Sequence, residues 1–215
     1  MTEAHWNELA FPIPLLNFLR LDRRLMPRKS RLFACGCARL VWPNLAEAEI
    51  RFTVETAERF IENQESAIGL EIAHRIARDT YDNNPGDRVL EFGFHISEAT
   101  INETLIASIT FELLLTMSEA PRDLGIATVN RRLASLVREV FPHSDRPFEL
   151  SWRTVAVHDL ASGMYESRDF SAMPILADAL EEAGCHNAAV LRHCRDSNHE
   201  HIRGCWVLDL ILGKE

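Results

Sequence analysis

The sequence lacks the features by which several broad classes of protein are recognised. Its 215 residues contain no apolar run near the 18 or so residues that a membrane-spanning helix requires. The first 20 residues carry acidic side chains and no basic segment ahead of an apolar stretch, so they do not resemble a secretory signal. Five cysteines, an odd number, do not make a disulfide framework. We therefore expect a cytoplasmic protein with reduced thiols that does not contact membranes.

Motifs of the common enzyme classes are also missing. There is no GxSxG nucleophile turn, no HExxH zinc-protease helix, no Walker A phosphate loop and no GxGxxG dinucleotide loop. Glu71 and His74 have the three-residue spacing of a di-metal carboxylate bundle, but the further carboxylates that such a site needs do not line one face. The sequence therefore assigns no catalytic residue and favours a protein that is not an enzyme.

The chain has the composition of a folded protein with a helical pattern. Hydrophobic residues make up 47% of it, and nine glycines and nine prolines are too few for a low-complexity chain. Apolar residues recur at three- and four-residue spacings along most of its length, which predicts an all-α fold, an irregular bundle of about nine or ten helices. The most apolar helix is predicted near 97–117, at the centre. We expect a helical bundle domain over 1–142 and a C-terminal helical module over 148–215, packed together as one globule.

The charge is negative overall and uneven along the chain. The formal net charge is -9 at neutral pH, and because an acidic chain repels phosphate backbones we expect no nucleic-acid partner. Residues 1–45 nevertheless hold seven basic and three acidic side chains. Such a cluster is typical of a solvated helix face, and it also suits docking on an acidic protein surface. The candidate partner-binding residues are Arg20, Arg23, Arg24 and Arg28.

The densest group of metal-binding side chains lies near the C-terminus. Its thiols and imidazoles belong to Cys185, His186, His193, Cys194, His199, His201 and Cys205. Zinc prefers such ligands, and a structural site takes four of them. On a predicted helix over 201–212, His201 and Cys205 share one face, whereas Cys185 and Cys194 are nine residues apart and lie on opposite faces of theirs. The predicted zinc ligands are Cys194, His201, Cys205 and His193, with His199 as the alternative to His193.

Two other interpretations of the same residues remain open. Free cysteines often pack as small apolar side chains, in which case the histidines are surface residues and no metal binds. A thiol- or metal-dependent hydrolase would instead use Cys194 together with His193 or His201. A catalytic thiol would react quickly with an alkylating probe near neutral pH, whereas a buried thiol would not.

Both ends of the chain resemble a large family of uncharacterised planctomycete proteins. The segments that carry the resemblance are RKSRLFACGCARLVWPNL, which begins at Arg28, and the stretch from Val157 to the end, including MPILADALEEAGC, HCR and HIRGCWVLDLILGK. The family typically has RKLRLFACACCRR near its start, so that Ala38 stands here where a third thiol is common. The resemblance implies a smaller set of candidate ligands, namely Cys185, His193, Cys194, His201 and Cys205, and it implies no activity.

Together these patterns favour a cytoplasmic, all-helical interaction or adaptor protein, without catalysis and without a bound cofactor, that docks on an unknown protein partner. A segment that ends at Gly184, LADALEEAG, also resembles one helix of a short module that accompanies repeat proteins in the same bacteria, which would fit an adaptor. The first alternative is a zinc-stabilised helical module, and the second is a Cys/His-dependent hydrolase.

Overall fold

The fold is all-α, as the periodicity predicts. A computed structural model describes residues 1–22, 24–40, 42–45, 48–86, 91, 94–95, 126–143, 148–197 and 199–214. Within these ranges there are ten α-helices and no strand. The long apolar helix predicted near 97–117 lies outside the described residues. No helix in the described ranges has both the length and the apolar character needed to cross a bilayer.

The helices are numbered here in chain order. They are α1 Glu3–Glu8, α2 Pro12–Leu21, α3 Pro27–Leu40, α4 Ala48–Ile61, α5 Ala67–Asp82, α6 Ile126–Val140, α7 Val155–Ser167, α8 Met173–Glu182, α9 Ala188–Arg195 and α10 Trp206–Leu212. Two 3₁₀ turns, Trp42–Asn44 and Leu150–Trp152, precede α4 and α7. The chain forms two compact units, Met1–Val137 and Arg138–Glu215, so the last turn of α6 belongs to the second unit. The division into a bundle domain and a C-terminal module near 143–147 stays a prediction.

In the first unit, α4 packs against both α3 and α5. The Thr53 hydroxyl donates a hydrogen bond to the Ala73 carbonyl at 3.0 Å and so ties α4 to α5. The Arg39 guanidinium donates two hydrogen bonds, of 3.0 and 2.7 Å, to the buried Glu58 carboxylate and so ties α3 to α4. Polar groups therefore link these helices through paired contacts, as burial requires.

The two cysteines of α3 lie inside the first unit. Cys35 and Cys37 are both buried, and burial raises the pKa of the Cys37 thiol far above its ordinary value. A buried, protonated thiol acts as a small apolar side chain rather than as a nucleophile.

The second unit is built by α7 to α10. Helix α7 packs against α8 and α10, and α9 packs against α8 and α10. Helices α7 and α9 begin at side-chain caps, because the Thr154 hydroxyl accepts from the Val157 amide and the Asn187 side chain accepts from the amides of Ala189 and Val190. The core that they enclose includes large side chains from every helix, namely Met164, Tyr165, Leu176, Leu180, Val190, Leu191, Trp206 and Leu208.

The last helix begins later than the sequence indicates. Gly204 has a φ of 99°, outside the helical region, and α10 begins only at Trp206. The prediction of a helix over 201–212 is therefore wrong for its first five residues. His201 lies in an irregular connection that joins α9 to α10 and is defined by its described residues, 196–197 and 199–205.

Candidate metal centre

A fully buried carboxylate lies at the centre of the candidate site. Glu139, in the last turn of α6, is 0% exposed. Its Oε2 atom lies 3.2 Å from His193 Nε2 and 2.7 Å from His199 Nε2. Its Oε1 atom lies 3.2 Å from His201 Nδ1 and accepts a hydrogen bond of 3.2 Å from the Ile202 amide. Four nitrogen atoms thus surround one carboxylate, which is the number of partners that its two oxygens accommodate.

Three segments of the second unit bring these groups together. Helix α9 supplies His193 in its last turn, and the irregular connection supplies His199 and His201. Cys205 is the residue directly before α10, and its Sγ atom lies 3.2 Å from His193 Nε2. The connection is fastened to the end of α7 by Arg203, whose guanidinium donates to the carbonyls of Tyr165 and Glu166 at 2.8 and 3.0 Å. The site therefore depends on tertiary packing rather than on a single helix face.

Four of these residues have the arrangement of a metal site. One ligand atom from each of Glu139, His193, His201 and Cys205 lies within 4.8 Å of all the others. A tetrahedral zinc ion with bonds of about 2.0–2.3 Å separates its ligand atoms by roughly 3.3–3.8 Å. The contacts of 3.2 Å from His193 Nε2 to Glu139 and to Cys205 are close to that spacing. These four residues could hold a metal ion after small adjustments of their side chains.

The electrostatics of the site follow from burial opposed by hydrogen bonding. Burial alone would raise the pKa of Glu139, but the charge of His193 and the hydrogen bonds of the three histidines outweigh it and hold that pKa well below its usual value. Burial lowers the pKa of His193, although Glu139 opposes the effect. Burial also favours a lower pKa for His199, but the hydrogen bond to Glu139 outweighs it and raises the pKa of His199 above its ordinary value. The carboxylate is therefore ionised at neutral pH.

The thiols near the site are not activated as nucleophiles. Burial, reinforced by the Glu139 charge, raises the pKa of Cys205 well above its ordinary value and that of Cys194 to about 12. Cys205 and Glu139 both approach the same nitrogen of His193, Nε2. A catalytic Cys–His–carboxylate triad uses the two ring nitrogens separately, one for the thiol and one for the carboxylate. This geometry therefore does not provide a hydrolytic triad.

The structure brings together three of the four ligands that the sequence predicts. His193, His201 and Cys205 belong to the group, whereas Cys194 is buried beside it and does not. His199, the sequence's alternative to His193, contacts Glu139 without joining the group of four. Of the remaining candidates, Cys185 is buried in the core and His186 is exposed on the surface.

Sequence reasoning missed Glu139. It lies 60 residues before His199 and on a different helix, so no local spacing connects the two. One signal was present, because Glu139 follows the apolar residues Leu136 and Val137 and precedes Val140, all of them buried. An acidic residue at the edge of an apolar helix face needs a buried partner, and the histidines provide one.

The structure describes three of the four basic residues that the sequence offers for partner binding. Arg20 is exposed, and Arg24 and Arg28 are partly buried. The Arg28 guanidinium lies 3.7 Å from the Glu62 carboxylate, so part of its charge is already balanced within the first unit. Arg23 lies outside the described residues. A partner-binding role for these arginines stays a prediction.

Comparisons with known proteins add no relative from which a function could be transferred. No family model matches the chain, and no match is found among the curated proteins or among the solved structures. The resemblance to the planctomycete family therefore stays a prediction, and the inference of function rests on the geometry of the second unit.

Proposed function

We propose that the second unit is a zinc-binding helical module in which Glu139, His193, His201 and Cys205 hold one Zn²⁺ ion. The observation that carries the proposal is the convergence of these four ligand atoms, all within 4.8 Å of one another, in a buried place. Three of the four residues, two histidines and a cysteine, are of the types that structural zinc sites use most, and carboxylates are accepted ligands.

The charge balance of the ligands fits a divalent cation. Glu139 is ionised, and Cys205 becomes a thiolate when it binds a metal, so the pair carries two negative charges. His193 binds as a neutral imidazole, in keeping with its lowered pKa. A divalent ion would therefore produce a neutral assembly, which is the form that a buried site tolerates. Without the ion, the Cys205 thiol stays protonated beside a buried carboxylate.

The burial of the ligands favours a structural role for the ion. The side chains of Glu139, His193 and His201 are 0%, 11% and 6% exposed, and Cys205 is fully buried. All four positions of a tetrahedral ion would be filled by protein, whereas catalytic zinc keeps one position open. The ion would link the end of α6, the last turn of α9 and the start of α10. It would thereby stabilise the irregular connection between α9 and α10.

The test is the metal content of the untagged, purified protein and of two variants. We expect about one zinc ion per chain in the parent protein. The Cys205→Ala variant should lose the zinc, because a ligand is removed, and the Cys194→Ala variant should keep it. Cys194 is an equally buried thiol next to His193 in sequence, so it serves as the matched control. Absence of zinc from the parent, after purification without chelator and dialysis against zinc, would contradict the proposal.

A structural zinc module is compatible with the wider predictions from the sequence. The adaptor role and the cytoplasmic location stay predictions. A hydrolase that uses Cys194 is disfavoured by the burial of that thiol and by its raised pKa.

A further inference from the structure

His199 contacts the candidate metal centre without being one of its four ligands. Its Nε2 atom lies 2.7 Å from Glu139 Oε2, which is the shortest contact that the carboxylate makes. Its ring centroid lies 5.0 Å from that of His193 and 5.1 Å from that of His201. Its side chain is 12% exposed, about as much as that of His193 at 11%. The His199 amide donates a hydrogen bond of 3.1 Å to the Asp196 carbonyl, which fixes the backbone that carries the ring.

The contacts of Glu139 divide between its two oxygen atoms. The Ile202 amide donates to Oε1, and the His199 ring donates to Oε2. A carboxylate that is held at both oxygens cannot rotate about its terminal bond, and a short hydrogen bond to an ionised oxygen is among the strong ones. The Ile202 amide is fixed by the backbone, whereas the bond at Oε2 depends on the identity of residue 199.

We propose that His199 is a positioning residue that holds Glu139 in the orientation in which it binds the metal, and that it does so without binding the ion itself. This inference rests on the proposed zinc site. Residues that hydrogen-bond to a metal ligand, without binding the metal, fix the orientation of that ligand. Their loss lowers metal affinity by about 10- to 100-fold. With His199 bonded to the carboxylate, the ion keeps four protein ligands, the number that zinc prefers in structural sites.

The experiment compares two polar variants of the full-length protein, His199→Asn and His199→Gln. A glutamine amide nitrogen reaches about as far as the histidine Nε2 atom and can donate to Glu139, whereas the shorter asparagine amide cannot. Zinc affinity is measured by competition with a chromogenic chelator, and visible absorption of bound Co²⁺ reports the number and type of ligands. His186→Asn is the matched control, since His186 is an exposed histidine in the same unit.

We expect the His199→Asn variant to bind zinc about 10- to 100-fold more weakly than the parent, and the His199→Gln variant to regain most of that loss. The His186→Asn variant should bind like the parent. The Co²⁺ spectra of the parent and of both His199 variants should agree, because the four ligands are unchanged.

Three results would contradict the inference, and they differ from one another. Equal zinc affinity in the parent and in the asparagine variant would show that His199 does not position Glu139. A Co²⁺ spectrum that loses a nitrogen ligand in both His199 variants would show that His199 binds the ion directly. Failure of the parent protein itself to bind zinc or Co²⁺ would overturn the proposed function, and the role of His199 with it. Far-UV circular dichroism confirms that each variant is folded before its affinity is compared.

Discussion

The two units of the protein each bury a glutamate, and they balance its charge in different ways. In the first unit Glu58 is 5% exposed and accepts two hydrogen bonds from the guanidinium of Arg39. In the second unit Glu139 is fully buried, and its partners are three imidazoles and a backbone amide, with a thiol close by. Arginine carries a permanent positive charge, whereas an imidazole carries one only when it is protonated.

The comparison shows why, of these two glutamates, only Glu139 lies among groups that could hold a metal ion. The pair of Arg39 and Glu58 is complete, because a planar fork of donors matches a carboxylate in both geometry and charge. The partners of Glu139 are instead groups that bind metals when they lose a proton. An arginine opposite Glu139 would exclude a metal ion because of its positive charge, whereas histidines and a cysteine can serve as metal ligands. We therefore expect the stability of the first unit to be independent of metal ions and that of the second unit to depend on them.

Removal of the metal should produce the largest effect. A ligand present at about 1,000 times its dissociation constant stabilises a protein by roughly 4 kcal/mol, which for a chain of this size corresponds to a Tm shift of about 10 °C. We expect excess chelator to lower the Tm of the zinc-loaded protein by about that amount, and added zinc to restore it. Differential scanning calorimetry provides the measurement. If the Tm is the same with and without chelator, the second unit does not depend on a metal ion and does not differ from the first unit in this respect.

Matched substitutions of the two glutamates should separate the two kinds of site. Glu139→Gln removes a charged metal ligand. We expect the zinc affinity of this variant to fall by more than the roughly 100-fold that loss of a residue hydrogen-bonded to a ligand causes. Glu58→Gln weakens an ion pair and should lower the free energy of unfolding by about 2 kcal/mol, equally in the presence and absence of zinc. Chemical denaturation with and without chelator gives both numbers. The contrast fails if the stability of the Glu58 variant depends on zinc as strongly as that of the Glu139 variant.

The pH dependence of zinc binding should follow from the state of Cys205. The raised pKa of this thiol means that it is protonated at neutral pH when no metal is bound, so zinc must displace its proton. If zinc binding releases one proton, we expect the zinc affinity to rise about tenfold for each pH unit between pH 6 and pH 8. Titration calorimetry in two buffers that differ in ionisation enthalpy counts the protons. Binding that releases no proton would show that Cys205 is not a ligand.

The smallest effect is expected at Arg203, which holds the irregular connection without touching the ligands. Its two hydrogen bonds to the carbonyls at the end of α7 require a guanidinium. Arg203→Lys can keep only one of them, so the loss should be about 1 kcal/mol in the zinc-loaded and zinc-free protein alike. Urea denaturation measures it, and the zinc content should stay at one per chain. Loss of zinc from this variant would mean that the connection, rather than the ligand set, decides binding.

The sequence predicts the architecture better than it predicts the site. Helical periodicity is a local property, so the all-α fold could be predicted from the spacing of apolar residues. The site depends on long-range packing. His201 and Cys205 converge although they do not share a helix, because the turn at Gly204 places them.

Two features of the site depend on geometry that spacing along the sequence does not give. Cys194 and His193 are neighbours on a helix and point about 100° apart, so only one of them faces the carboxylate, and Cys194 is not in the group of four. Glu139 was omitted because the contact between α6 and the irregular connection is tertiary and has no local signature. A buried acidic residue needs partners, yet the sequence alone does not identify which ones.

X-ray absorption at the zinc edge of the purified, zinc-loaded protein tests the proposed ligand set directly. We expect a four-coordinate ion with one sulfur ligand at about 2.3 Å and three nitrogen or oxygen ligands at about 2.0–2.2 Å. A coordination shell without sulfur would contradict the role of Cys205. A shell with two sulfur atoms would mean that a second cysteine, such as Cys194, replaces Glu139, His193 or His201 as a ligand, and would contradict the proposed ligand set.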